Sequence, residues 1–364
     1  MLTVEENATL TRIGPGTRMG QLWRCYWQPF AAASEMAERS TMQVRLLGED
    51  LVAVKDRNGN MRLAGYPVEE MAGLLWAYLG PLPAPRITPI QGFVVDGAIR
   101  TIGKAVVPCN WLQIMENSVD PVHAEWAHGK LYEFVMERDG VKVPMADRHV
   151  KIRFKEFPYG IYKQRLLEGQ SEDCDDWNVG HPLIFPNMVA TGSHAPSATN
   201  YSYQIRVPID DENTLHLWYN ALVPPAGAVV PPHLFAQTFV YDVPYRDAKG
   251  EFTLEMVDSQ DIMCWVTAGP IADRSLEQLG TTDVGIIAFR KMLWRELERV
   301  ERGEDPLGVV RDPGLRMVEL PLERDKRHYS DGFAKHVSRT RLRFSPIADE
   351  LIAVFRGPQH EQVA

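Results

Sequence analysis

The chain has 364 residues, 45% hydrophobic, 24% charged and 9% aromatic, the proportions of a folded globular protein, which exclude disorder for its bulk. Its 48 acidic side chains outnumber 39 basic ones for a formal charge of -9, and Lys and Arg are scattered without a basic block, which excludes a phosphate-backbone partner. No stretch reaches the roughly 18 apolar residues of a membrane span, and the acidic start MLTVEEN is unlike a signal peptide, so a cytoplasmic location is expected.

Taken in chain order, the first residues predict a short helix with Leu2, Leu10 and Ile13 on its apolar side. The loop GPGTRMG and the aromatic run LWRCYWQPF, which has the composition of a buried segment, come next. From Met42, QVRLLGEDLVAVKDRNGNMRL alternates apolar and polar residues around two turn signals, as short antiparallel strands do. GYPVEEMAGLLWAYLGP predicts another strand pair turning near Ala72 and Gly73, and the Pro-rich PLPAPRITP after it reads as a domain boundary. Residues 108–129 predict a helix interrupted at Asp120-Pro121 and stopped by Gly129. The runs HVKIRFKEF, GIYKQRLLEG, HPLIFPNMVATG, NYSYQIRVPI and TLHLWYNALVP then predict an antiparallel sheet of five or more strands. Apolar residues at helical spacing over 283–303 predict a helix packed across that sheet, giving an α+β fold.

Cys25, Cys109, Cys174 and Cys264 are far apart with no C-x-x-C pair, and are read as reduced thiols rather than disulfides or a zinc site. GPGTRMG lacks a preceding strand and fails as a dinucleotide fingerprint.

Possible ligands concentrate at Asn117, Asp120, His123, Glu125 and His128. On a regular helix His123 and His128 would point about 140° apart, so a shared ligand requires the helix to loosen. An iron(II) that binds oxygen and substrate favours two imidazoles and one carboxylate on one octahedral face. The best distant carboxylate is Asp261, set among Met256, Val257, Ile262, Met263, Cys264 and Trp265, where a metal would stabilise a buried charge; Asp258 competes. H-E-x-x-H is absent, which disfavours zinc. The plain alternative is a pair of structural histidines and an aspartate that caps a helix. His181, His194 and His216 lie in or beside the predicted sheet and are unassigned. Arg165 and Arg206 are candidate anchors for a carboxylate, but read first as outward-facing strand residues.

NWLQIMENSVDPVHAEWAH resembles the iron-site helix of the Rieske non-haem iron oxygenases, in particular the large (α) oxygenase subunit of the phthalate-dioxygenase-like branch. SQDIMCWVTAGPIADRSLEQLGTTDVGII resembles that branch's carboxylate segment, and further matches from the opening residues to IRVPIDDENTLHLWYN spread the resemblance over almost the entire chain. It implies a residual Rieske-like antiparallel β domain over 1–100 and a catalytic domain over 101–364, a helix-grip (START-like) antiparallel sheet wrapped by helices. It implies that His123, His128 and Asp261 ligate mononuclear Fe(II) and that Asn117 lies beside the iron. Asp120 would bridge toward a neighbouring subunit's cluster histidine in a homotrimer. Electrons from an NAD(P)H-dependent reductase or ferredoxin would pass through a 2Fe-2S Rieske cluster, so that O2 attacks an aromatic substrate by ring hydroxylation or O- or N-dealkylation, in aromatic catabolism. The substrate pocket is expected between the sheet and the 283–303 helix, near Ile184, Phe185, Val189, Leu217, Trp218 and Tyr219.

One departure is large. The family holds its cluster on a C-x-H and a C-x-x-H pair between the KDRNG hairpin and the YPVEE strand. Here Ala64 runs straight to Gly65, only Cys25 precedes that junction, and the first histidine is His123, so this sequence ligates no such cluster. Either a segment of several tens of residues belongs between Ala64 and Gly65, or the protein is truncated there. Both flanking strands keep family-like sequences, which favours the former. A cluster-less protein that binds a hydrophobic ligand on the same fold is the alternative function.

Overall fold

Thr3 starts the first helix, Val4–Thr11, through a capping box: its hydroxyl accepts from Glu6 N at 3.1 Å, and the Glu6 carboxylate accepts from Thr3 N at 2.7 Å. A computed structural model describes the chain apart from residues 38, 139, 141, 143–146, 196–197, 322–332 and 356–364. After the Arg18–Arg24 helix come β1 (Trp27–Ala32), β2 (Thr41–Leu46), β3 (Glu49–Lys55), β4 (Met61–Leu63), β5 (Val68–Met71) and β6 (Leu74–Tyr78). They form two antiparallel three-stranded sheets, β1-β6-β5 and β2-β3-β4, and the aromatic run that spans the end of the helix and β1 buries Trp23, Trp27 and Phe30 as its composition predicts.

The junction between β4 and β5 is a closed turn. Tyr66 N donates to Leu63 O at 2.7 Å across Ala64 and Gly65, whose φ of +84° only glycine adopts without strain. The Tyr66 hydroxyl donates to Glu49, which also accepts from Arg24 at 2.7 Å, so the turn is tied back to β3.

The second body of the fold is a nine-stranded sheet. Its strands are β7 (Ile99–Val107), β8 (His149–Phe157), β9 (Gly160–Leu167), β10 (His181–Ile184), β11 (Met188–Ala190), β12 (Ser193–Ala195), β13 (Ala198–Pro208), β14 (Thr214–Val223) and β15 (Phe239–Asp242). Their order is β15-β7-β14-β13-β11-β10-β9-β8, with β12 paired to β13, and β15 alone runs parallel to its neighbour. The five predicted runs lie in this sheet, and β7 and β15 extend it. Mixed antiparallel sheets and helices make the fold α+β as predicted.

Alternation along the strands gives the sheet two different faces. Tyr203, Ile205, Leu217 and Tyr219 share one, where Phe93 lies edge-on to Tyr203 and Tyr219 at 5.2 and 5.1 Å. Phe289, Met292, Leu293 and Leu297 of the Val284–Glu301 helix join the same core, with Phe289 6.1 Å from Phe185. Ile184, Phe185, Val189, Leu217 and Tyr219 are buried in this core, and Ile184 and Phe185 also border a cavity of about 520 Å³ together with Trp27, Trp76 and Phe93. The opposite face carries Gln204 and Arg206 across from Trp218 and His216. There Trp218 packs with Tyr241 and with Ile262 and Trp265 of the Val257–Thr267 helix. Among the described residues, no helix is long and apolar enough to cross a membrane.

Candidate metal centre

The first wall of the site is the Trp111–Ser118 helix, opened by Asn110, whose side chain accepts from Leu112 N at 3.0 Å. At its other end Asp120 turns the chain: its carboxylate accepts from Val122 N at 2.8 Å and His123 N at 3.1 Å. Asp120 thereby caps the segment that begins at Pro121. Beyond it the backbone of Ala124–Lys130 is π-helical and continues into the helix Leu131–Arg138. Gly129 was expected to stop the helix. It is buried and itself helical, because the wider i→i+5 turn accommodates the segment without a left-handed residue.

That π turn solves the spacing problem. With i→i+5 geometry His128 lies nearly over His123, and their rings meet edge-on with centroids 5.1 Å apart. The Val257–Thr267 helix brings Asp261 to them from 133 residues further on (261 minus 128). Asp261 Oδ1 is 3.1 Å from His128 Nε2 and 3.7 Å from His123 Nε2, and the three ligand atoms all lie within 4.8 Å of one another. Oδ1 is buried and makes no hydrogen bond. Cis ligands about 2.1 Å from an octahedral ion sit about 3 Å apart, so the residues fit a metal, and two histidines with one carboxylate is the donor set of a non-haem iron(II) facial triad.

The outer ring nitrogens are tied down. His123 Nδ1 faces the Asp120 carbonyl, and His128 Nδ1 donates to Gln260 Oε1 at 2.9 Å. Gln260 is itself oriented, its amide nitrogen donating to Leu254 O at 2.6 Å. Both imidazoles thus turn Nε2 inward. Burial pulls His123 down to about 3, against the attraction of Asp261, so it stays neutral. Burial also opposes a charge on His128, but Asp261 and Gln260 outweigh it and raise its pKa. For Asp261 burial favours the acid, yet the facing imidazoles hold its pKa below the ordinary value. Two cations reach the same field from the sheet: burial draws Lys163 down to about 8 and Arg206 to about 9.

The other candidates lie elsewhere. Asp258, the rival carboxylate, faces Arg341 at 3.4 Å, and Glu125 accepts from His149 N at 3.1 Å. Asn117 lies in the last turn of its helix, its carbonyl accepting from Asp120 N. All four cysteines are free thiols outside the triad. Arg206 was read as outward-facing and is instead 1% exposed, because its strand is covered on both sides. Gln260 was not anticipated; its place directly before the candidate ligand Asp261 was the signal the sequence offered for it.

Residues 236–319, which include Asp261, match the family described as LigXa C-terminal domain like. The oxygenase subunit of 5,5'-dehydrodivanillate O-demethylase from Sphingobium sp. (strain NBRC 103272 / SYK-6) is 34% identical over 386 aligned positions, covering 89% of this chain and 88% of that protein. The chain belongs to the Rieske non-haem iron oxygenases, as an oxygenase subunit. The oxygenase subunit of phthalate 4,5-dioxygenase from Pseudomonas putida is 26% identical, covering 85% of this chain and 89% of its own length. Among solved structures, NdmA from Pseudomonas putida CBB5 shares the fold at a TM-score of 0.54 and 13% identity, over 79% of this chain and 94% of that one. This Rieske oxygenase subunit is thus an enzyme component that oxidises aromatic compounds, and the ligand-binding alternative gains no support.

The family implies a 2Fe-2S cluster as well as iron, and for the cluster the residues do not fit. No histidine precedes His123, and the place between β4 and β5 is the closed Leu63–Tyr66 turn. Since 89% of 364 residues is about 324, about 62 of the 386 aligned positions hold residues of the O-demethylase subunit opposite none of this chain.

Proposed function

We propose that His123, His128 and Asp261 hold a mononuclear iron(II), and that this subunit oxidises an aromatic compound with O2. The observation that carries the reading is the convergence of two imidazoles, each anchored through Nδ1, on an Asp261 oxygen that is buried without a hydrogen bond. Bound there, iron would supply oxygen activation at its open coordination positions.

The protein's own part is positional. The Asp120 carbonyl and the Gln260 amide keep the protons on Nδ1, so both Nε2 lone pairs face one point. The Asp120 carboxylate holds the corner that aims His123. Asn117, at the end of the preceding helix, belongs to the surroundings of the iron. The bridge toward a neighbouring subunit of a homotrimer, which the resemblance implies for Asp120, needs a cluster whose histidine and cysteine ligands this sequence lacks.

The relatives include an O-demethylase and a dioxygenase, so both dealkylation and ring hydroxylation belong to the proposal, with demethylation of a methoxyarene favoured by the 34% identical relative. An NAD(P)H-dependent reductase or a ferredoxin is the electron-donating partner; the oxygenase of carbazole 1,9a-dioxygenase forms a complex with a ferredoxin. The cytoplasm, with free cysteines and nicotinamide-reduced partners, is its proposed location.

Anaerobic loading with Fe(II) tests the site. The wild-type protein should retain iron through desalting, and His123→Ala, His128→Ala and Asp261→Ala should each lose most of it. Full occupancy in all three variants would overturn the assignment.

A further inference from the structure

The π segment that begins directly after His123 and contains His128 has a backbone that an ordinary helix would not keep by itself. Leu131 N donates to Trp126 O, five residues back. Such a turn is less favourable than the α-helix it interrupts, and it persists where surrounding contacts over-determine it. Relaxation to a regular helix would swing His128 about 140° from His123, so whatever prevents it also sets the geometry of the triad. The contacts behind the imidazoles, Asp120 for His123 and Gln260 for His128, act on the rings and leave the turn between them ungripped.

Glu125 grips that turn. Its Oε2 accepts from the His149 backbone N at 3.1 Å and faces His149 Nδ1 at 3.4 Å. His149 opens β8, the last strand in the order of the large sheet, so an N–H on its outer side has no further strand to meet it, and the Glu125 carboxylate takes that place. The strand end is a firm support. Arg148 O accepts from Glu168 N at 2.8 Å, which ties it to the end of β9, and the His149 side chain is 6% exposed. The same strand bears on the metal-ligand segment a second time, because Phe154 and the Val119 carbonyl both close on Gly285 and leave no room there for a Cβ.

We infer that Glu125 is a positioning residue for the metal centre: it clamps the first turn of the π segment to the start of β8 through His149, and so keeps His128 over His123. The inference rests on the proposed metal site for its consequence, whereas the clamp belongs to the protein without metal. Glu125 is not itself a ligand. Its carboxylate is engaged by His149, and the donor atoms that converge among the described residues are those of His123, His128 and Asp261.

Amide hydrogen exchange of the metal-free protein, read by mass spectrometry, tests the clamp. Glu125→Ala should speed exchange over residues 123–131 about tenfold, while β13, β14 and the urea midpoint hardly move. Glu125→Gln, whose amide oxygen can still accept from His149 N, should restore most of the protection, which a general loss of stability would not allow. Anaerobic titration with Co(II) reads the consequence: Glu125→Ala should bind about tenfold more weakly with an altered visible spectrum, and Glu125→Gln should bind nearly as the wild type does. Unchanged exchange over 123–131 in Glu125→Ala, or a loss that Glu125→Gln does not rescue, would overturn the inference. A wild-type protein that shows the clamp in exchange and yet binds no metal would support the clamp and overturn the metal site instead.

Discussion

His123 and His128 are five residues apart in sequence, yet their rings meet at 5.1 Å because the backbone between them is π-helical. A regular helix would turn the two imidazoles away from each other. The local irregularity is therefore a condition of the metal site, and its cost is offset by the fixed contacts behind each ring.

Gln260 is the contact most open to test. It accepts from His128 Nδ1 and is locked by Leu254 O, so Gln260→Leu should leave His128 free to rotate. Loss of such an outer partner lowers metal affinity about 10–100-fold. Titration with Fe(II) or Co(II) under anaerobic conditions measures it, and Gln260→Glu, which keeps an acceptor, should recover most of the loss. Unchanged affinity in Gln260→Leu would show that His128 is held by other means.

Metal affinity should rise with pH through neutrality. Burial disfavours a proton on His128, but Asp261 and Gln260 raise its pKa above the ordinary histidine value, so a proton competes for the ligand position at neutral pH. That competition is complete below the raised pKa and vanishes above it; His123, at about 3, contributes none. Affinity should therefore climb as the pH rises through that raised pKa and level off above it, with protons released on metal binding over the climbing range. A flat profile would contradict the assigned protonation of His128.

Gly285 controls the corner that carries Asp120. A Cβ at this position would lie 2.1 Å from the Val119 carbonyl oxygen and 2.4 Å from Phe154 Cζ. Gly285→Ala should push the Val284–Glu301 helix away from that corner, at about 1–3 kcal/mol of stability. Urea denaturation measures the cost. Metal affinity should fall with it, because Asp120 N-terminally fixes His123.

The nearby ion cluster limits how far that corner relaxes. Glu116, in the Trp111–Ser118 helix, accepts from Arg274 at 2.7 Å and from Arg290 at 2.6 Å, and Arg290 also holds Glu277. The helix bearing Asn117 is thereby tied to the Val284–Glu301 helix and to the segment after Asp261. Such a hub reads in sequence as four ordinary surface charges, because nothing local marks which acids and bases will be buried together.

The candidate ligands, the alternating strands and the missing cluster ligands were all legible in the amino-acid order. Each depends on residue type and short-range spacing: His123 and His128 on one segment, a lone acid in an apolar run at Asp261, alternation in TLHLWYNALVP, and an Ala64-Gly65 junction with no histidine before it. Whether two imidazoles five residues apart could converge was decided by the π turn, and which carboxylate would join them by the packing of the Val257–Thr267 helix, with Asp258 drawn off by Arg341. The same holds for the two sheet faces. Alternation shows that Leu217 and Trp218 point opposite ways, but only the packing of distant elements makes one face an aromatic core and leaves Arg206 and His216 buried on the other. Residue type and period are local properties of the chain, whereas burial and the convergence of side chains are properties of contacts between segments far apart in sequence.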